Sequence, residues 1–218
     1  MLLRQKCDFV IFGPSLAETQ VACFGLVGYK IKTAQDMRFS QLDRITSLVK
    51  GKSITAVKCL SLSEDYLKDH FPRFPVMPGV LMVESMFQAS MFLVRANDGF
   101  KYSTVVIREA NNFTFKGFVQ PGDQLEVNAE VKSTNGSITK LKVAGSINGE
   151  MASSGLFLLD SFNLAERQGV DPAIDNYMIR QFRLTFRRLC NQLDQTNLSG
   201  MADLNLVPTS AETKPITN

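Results

Sequence analysis

The chain has 218 residues, 44% hydrophobic and 21% charged, with a net charge of +3; that is apolar material enough for a packed core and rules out a wholly disordered chain. A pI of about 8.7 is too mildly basic to mark a nucleic-acid binder, and no nucleic-acid partner is expected. Four scattered cysteines (Cys7, Cys23, Cys59, Cys190), no C-x-x-C pair and a single histidine argue against a structural zinc site, so no metal or cofactor is expected, and the cysteines are expected to be reduced and buried in a cytoplasmic protein.

Residues 1–36 read as a leader that does not share the pattern of the rest of the chain. Arg4 and Lys6 precede Phe9-Val10-Ile11-Phe12 in the manner of a weak signal peptide, but Asp8 and Gly13-Pro14 break the run, so secretion is not expected. No apolar run in the sequence reaches transmembrane length, and membrane contact is not expected. Met37 opens a coherent stretch through Ile45. Gly25 and Gly28 do not form a dinucleotide fingerprint, and Gly51-Lys52-Ser53 lacks the glycine that a phosphate-binding loop needs at position 46, where this chain has Thr.

Ser53 to Leu60 reads as a strand. Pro72, Pro75 and Pro78 then recur every third residue, a spacing that forbids a helix interior and stiffens an extended loop. Val80 to Val94 is apolar on nearly every face, as a buried core helix is. After Asn97-Asp98-Gly99 the period becomes alternating. Strands are expected over 103–109 and 112–116, over Leu125 to Val131, around Leu141 to Ile147, and from Glu150 to Asp160, with tight turns at Asn135-Gly136 and Asn148-Gly149. Strand, long buried helix, then an antiparallel meander make an α+β fold: one curved antiparallel sheet wrapped around one helix. Asp171-Pro172 opens a further helix whose Ile174, Met178, Phe182, Phe186 and Leu189 form one stripe and whose Arg180, Arg183, Arg187 and Arg188 load the opposite side. The expected organisation is a leader (1–36), a main domain (37–163), a helical extension (164–197) and a disordered tail (198–218).

His70 is the one imidazole, in Asp69-His70-Phe71-Pro72, and Glu84 is the one carboxylate in the apolar helix. No other side chain titrates near neutrality without help. A carboxyl inside a buried helix must be paired, protonated or open to a cleft. The proline-stiffened loop holds His70 and leads straight into the helix carrying Glu84, whose first N–H groups, at Gly79 and Val80, lack helical acceptors and suit an oxyanion. A base, an acid and an oxyanion donor this close in sequence point to proton abstraction beside a carbonyl with loss of a neighbouring group.

The run from His70 to Glu84, His-Phe-Pro-Arg-Phe-Pro-Val-Met-Pro-Gly-Val-Leu-Met-Val-Glu, with Gln88 one turn later, resembles the signature of the 3-hydroxyacyl-[acyl-carrier-protein] dehydratases of fatty-acid synthesis, the FabZ-type hotdog-fold enzymes. Asp43-Arg44-Ile45, Phe113-Thr114-Phe115-Lys116 and Val119-Gln120-Pro121-Gly122-Asp123 extend the likeness over about residues 37–163. The resemblance implies a hotdog fold with an extra C-terminal helix. His70 would take a proton from C2 of the thioester and Glu84 would protonate the departing C3 hydroxyl. Gly79, Val80, Phe71 and Gln88 would contact the substrate, with the Gly79 N–H on the enolate-like oxygen. It further implies an acyl carrier protein bearing the 3-hydroxyacyl chain as partner. His from one subunit and Glu from the other would meet in a homodimer, or in an assembly of dimers. Asp69 and Arg73 stand where the family has glycines; they add charge beside the cleft, where they could pair with each other or alter carrier docking. Thioester hydrolysis and a catalytically silent acyl-binding subunit are the alternatives.

Overall fold

The computed structural model describes residues 6–9, 40–191 and 198–199. The expected leader and tail lie outside the described residues except for two short strands, β1 (Lys6–Phe9) and β8 (Leu198–Ser199). Between them run β2 (Arg44–Val49), β3 (Ser53–Cys59), a 3-10 turn (Asp65–Lys68), α1 (Gly79–Asn97), β4 (Thr104–Phe115), β5 (Gln124–Asn135), β6 (Ile138–Ile147), β7 (Glu150–Phe162), α2 (Leu164–Gln168) and α3 (Pro172–Leu189).

The strands form one sheet in the order β1-β4-β7-β6-β5-β3-β2-β8, antiparallel throughout except where β8 joins β2. The helix α1 packs against β3, β4, β5, β6 and β7. Five neighbouring strands spaced about 4.8 Å apart span roughly 19 Å, whereas a helix is about 10 Å across. All five can reach one helix only if the sheet curls around it, which is the wrapped-helix architecture the sequence implied.

Alternation builds the inner face. On β5, Leu125, Val127 and Ala129 are buried while Glu126 and Asn128 face out; on β6, Val143 pairs with Ala129 and Leu141 with Val131. On α1 the apolar positions leave no polar stripe. Its buried Ser85 and Ser90 return their hydroxyls to the carbonyls of Leu81 and Met86 at 2.8 and 2.7 Å, which satisfies them inside the core. At 19 residues, α1 runs beyond the expected end at Val94 and is long and apolar enough to cross a membrane by composition alone, but it is enclosed by the sheet and serves as the core of the fold.

Three elements depart from expectation. The strand β2 had no signal, because a bulge between Ile45 and Ser47 puts its buried residues, Ile45 and Leu48, three apart instead of two. The strands expected over 103–109 and 112–116 are one continuous β4, bulged after Asn111, where Asn112 takes φ +57°. Helix α2 owes its start to a tertiary contact: the Asp175 carboxylate of α3 accepts from the N–H groups of Leu164 and Ala165, both at 2.9 Å.

Helix α3 begins as expected, the Asp171 side chain accepting from Ala173 N–H at 2.8 Å with Pro172 at the first position. It packs over the C-terminal end of α1. Phe186 is fully buried, its ring 5.7 Å from that of Phe92 and 5.3 Å from that of Phe100. Ile174, at the other end of the predicted stripe, is exposed. The cysteine expectation also needs correction. Cys59 is exposed and Cys190 half-buried, both free, with burial pushing the Cys190 thiol up to about 12. The side chains of Cys7 and Cys23 are outside the described residues.

Candidate active site

The loop between β3 and α1 is tied at both ends. Leu60 N–H donates to Asp123 O at 3.0 Å and Met77 N–H to Val119 O at 2.9 Å. Between these ties, His70 N–H donates to the Tyr66 carbonyl at 3.1 Å. Phe71 follows in the left-handed region, φ +52°, a conformation that costs a non-glycine residue on the order of 1 kcal/mol and here turns the chain directly after the histidine. The Phe71 ring lies edge-on to the imidazole, centroids 4.7 Å apart.

Among the described residues the polar partner of the imidazole is the Val76 carbonyl, 2.9 Å from Nδ1. A carbonyl can only accept, so in the neutral ring Nδ1 carries the proton and Nε2 keeps the lone pair. The sequence placed His70 in the loop but gave no sign of this tether, because any residue at position 76 offers the same carbonyl.

Three residues beyond Val76, a reach of at most about 11 Å, α1 begins. The Pro78 carbonyl accepts from Leu81 and Met82 N–H at 2.9 and 3.2 Å, leaving the N–H groups of Gly79 and Val80 without acceptors, as a helix start requires. Position 79 is tight: a Cβ there would lie 3.1 Å from Phe115 Cε1, so the ring would have to give way. Phe115, at the end of β4, is thus the wall behind the helix start.

Glu84 sits further along α1, about 7.5 Å from Gly79 along the axis. Burial raises its pKa, and a hydrogen bond from Gln88 pulls the other way without cancelling the rise. The geometry fixes the amide: Gln41 N–H donates to Gln88 Oε1 at 2.9 Å, so Gln88 Nε2 faces Glu84 Oε1, 2.8 Å away. Gln88 is buried between them, which makes it an aimer of Glu84. Gln41 acts through its backbone and had no sequence signal. Within one chain His70 and Glu84 do not bond to each other.

A family model for the FabA-like domain matches residues 33–155. The chain belongs to this family. The FabA-like domain is 36% identical over 113 residues to the 3-hydroxyacyl-[acyl-carrier-protein] dehydratase FabZ of Listeria monocytogenes, a match covering 52% of this chain and 78% of that protein. It is 37% identical over 117 residues to the protein of the same name from Ruminiclostridium cellulolyticum, covering 54% and 82%. Among solved structures, the dehydratase heterocomplex ApeI:P from Xenorhabdus doucetiae shares the fold, with a TM-score of 0.52 at 12% identity, over 61% of this chain and 89% of that one.

Around the site, this FabA-like domain presents an apolar rim: Phe71, Phe74, Phe118 and Val80 are each at least 51% exposed, with Phe74 and Phe118 packed edge to face. Asp69 and Arg73 are exposed and form no ion pair with each other, contrary to one of the two roles their charges suggested. No group of three potential metal-ligating side chains occurs among the described residues.

Proposed function

We propose that this chain dehydrates 3-hydroxyacyl chains carried by acyl carrier protein to the trans-2-enoyl form, as a hydro-lyase of fatty-acid synthesis in the cytoplasm. The observation that carries the reading beyond its relatives' names is the Nδ1–H tether to Val76, which puts the lone pair of the neutral tautomer on Nε2.

Nε2 removes a proton from C2, and the electron pair moves onto the thioester oxygen. The N–H groups of Gly79 and Val80 stabilise that oxygen, where one donor is typically worth about 3 kcal/mol. The pair returns to form the C2–C3 double bond as the C3 hydroxyl leaves, protonated by Glu84 to water. Burial favours the protonated carboxyl this step needs. A proton passing from His70 to Glu84 resets both. Gln88 aims Glu84, and the exposed Phe71 ring is placed to meet the acyl arm.

A homodimer supports this chemistry. His70 and Glu84 are unbonded in one chain, and the apolar rim beside them is open; a second copy would cover the rim, exclude water and bring one chain's imidazole to the other's carboxyl. Purified protein given a 3-hydroxyacyl or trans-2-enoyl carrier substrate should interconvert the two by mass spectrometry. Release of free acid would make it a thioesterase, and acyl binding without turnover a silent subunit.

A further inference from the structure

The loop that carries His70 meets the core through its 3-10 turn, where Leu67 is buried and Tyr66 packs against the core cluster. From 61 to 75 the one fully buried side chain is Leu67. The strand it leaves is firmly held: Cys59 N–H donates to Asp43 Oδ2 at 2.6 Å, and Leu60 exchanges backbone hydrogen bonds with Gly122 and Asp123. On this strand Lys58 is buried, with 7% of its side chain exposed, and its Nζ lies 2.5 Å from Glu64 Oε1. Glu64 opens the 3-10 turn, donating its N–H to Ser61 O and accepting from Leu67 N–H at 3.1 Å. The same turn's Tyr66 carbonyl holds His70 N–H. A continuous path therefore runs from the fixed strand through the ion pair and the turn to the backbone of the base.

We propose that the Lys58–Glu64 ion pair positions His70, fixing the turn from which the imidazole hangs so that Nδ1 meets Val76 O and Nε2 faces the substrate. The inference rests on the dehydratase reading for its effect on turnover, and on geometry alone for its effect on the ring. Neither side chain is a catalytic residue; both are positioning residues. A catalytic group must be held to within about 0.5 Å, and a displacement of about 1 Å costs on the order of a hundredfold in rate. An ion pair between a strand and a turn adds a polar fixed point to the apolar anchorage of Tyr66 and Leu67.

A purely stabilising pair must be told from a positioning one. Removing Glu64 strands the buried Lys58 charge, so that single variant can fail to fold. The Lys58→Met/Glu64→Leu double variant removes both charges, and apolar replacements of buried pairs are often neutral for stability. The chain's one histidine gives a single imidazole nitrogen pair in NMR, so its tautomer is read directly. We expect the wild type to hold the Nδ1–H tautomer when neutral. The folded double variant should show mixed tautomers, a kcat about 10- to 100-fold lower and a KM for the carrier substrate within about twofold of wild type, while Lys58→Arg, which keeps the pair, should retain most of kcat. A folded double variant with the wild-type tautomer and wild-type kcat would overturn the proposal. If the wild type does not turn over at all but the tautomers still mix in the double variant, the tether stands and the dehydratase reading falls.

Discussion

Replacing Gln88 by Leu would separate the aiming of Glu84 from its burial. The amide links Gln41 N–H at 2.9 Å to Glu84 Oε1 at 2.8 Å, and Leu is similar in size but makes neither bond. The Gln41 N–H, in a buried residue, is left unsatisfied at about 1–3 kcal/mol, and the lost bond to a neutral carboxyl adds about 0.5–1.5 kcal/mol. The added apolar surface returns roughly 1 kcal/mol, so the net loss is about 0.5–3.5 kcal/mol. The chain has no tryptophan, so urea denaturation should be followed by far-UV circular dichroism at one protein concentration. The second readout is the Glu84 carboxyl titration by 13C NMR. Burial raises this pKa and Gln88 holds it down, so the variant should titrate higher than wild type while kcat falls, the acid being no longer aimed. A stability loss under about 0.5 kcal/mol, or a carboxyl that titrates unchanged or lower, would refute the linkage through Gln88.

The base itself should be irreplaceable: His70→Gln, folded as wild type, is expected to lose about 10²–10⁴ in kcat, and a loss under about tenfold in a steady-state dehydration assay would remove His70 from the mechanism. Because the Glu84 pKa is raised on folding, its favourable contribution is complete below the unfolded value of about 4.3 and disappears as pH rises through the folded value; Glu84→Gln should therefore match wild type in urea denaturation near pH 4 and exceed it at pH 8, and equal stabilities at pH 8 would contradict the burial. Gly79→Ala puts a Cβ 3.1 Å from Phe115 Cε1 and should cost about 1–3 kcal/mol through overpacking, with kcat falling more than KM changes, and Phe115→Leu should relieve the strain in the double variant. Phe182→Ala strips the half-buried ring from over the Arg95 guanidinium, 3.9 Å from its centroid, and should destabilise by about 2–3 kcal/mol in thermal or urea melts.

The architecture was legible wherever side chains repeat with the element's own period. Alternation located β5 and β6, the all-apolar run located α1, and Asp171-Pro172 located the start of α3. Legibility failed where a bulge shifted the period, in β2 and at Asn112, and where a contact remote in sequence decided the outcome, as Asp175 does for α2. The site divides in the same way. His70, Gly79 and Glu84 stood out because imidazole, glycine and a lone carboxyl are chemically distinct side chains. The groups that aim them are the Val76 carbonyl and the Gln41 N–H, which every residue offers and which no sequence can single out. Gln88 was visible as a residue, but its part as a bridge needed the three-dimensional pairing with Gln41.

The two charged residues of α1 show how one buried helix can hold two ionisable groups in different surroundings. Arg95 lies in the last turn of α1, where the helix dipole favours a cation, whereas Glu84 lies beyond the first turn. Arg95 is nearly fully enclosed: it donates to the carbonyls of Tyr102 and Ser103 at 2.6 and 2.9 Å, and Phe182 of α3 covers its face, leaving only Nε unpaired. Its hydrogen bonds join the end of α1 to the chain entering β4, so the charge is spent on holding that end of the fold. Glu84 receives one amide hydrogen bond, on one oxygen, and burial still lifts its pKa. Burial pushes both groups toward their neutral forms, raising the Glu84 pKa and lowering that of Arg95 to about 9. The cover supplied by α3 lies at the opposite end of α1, over Arg95 and Phe92, so it stabilises the core away from Gly79 and Glu84.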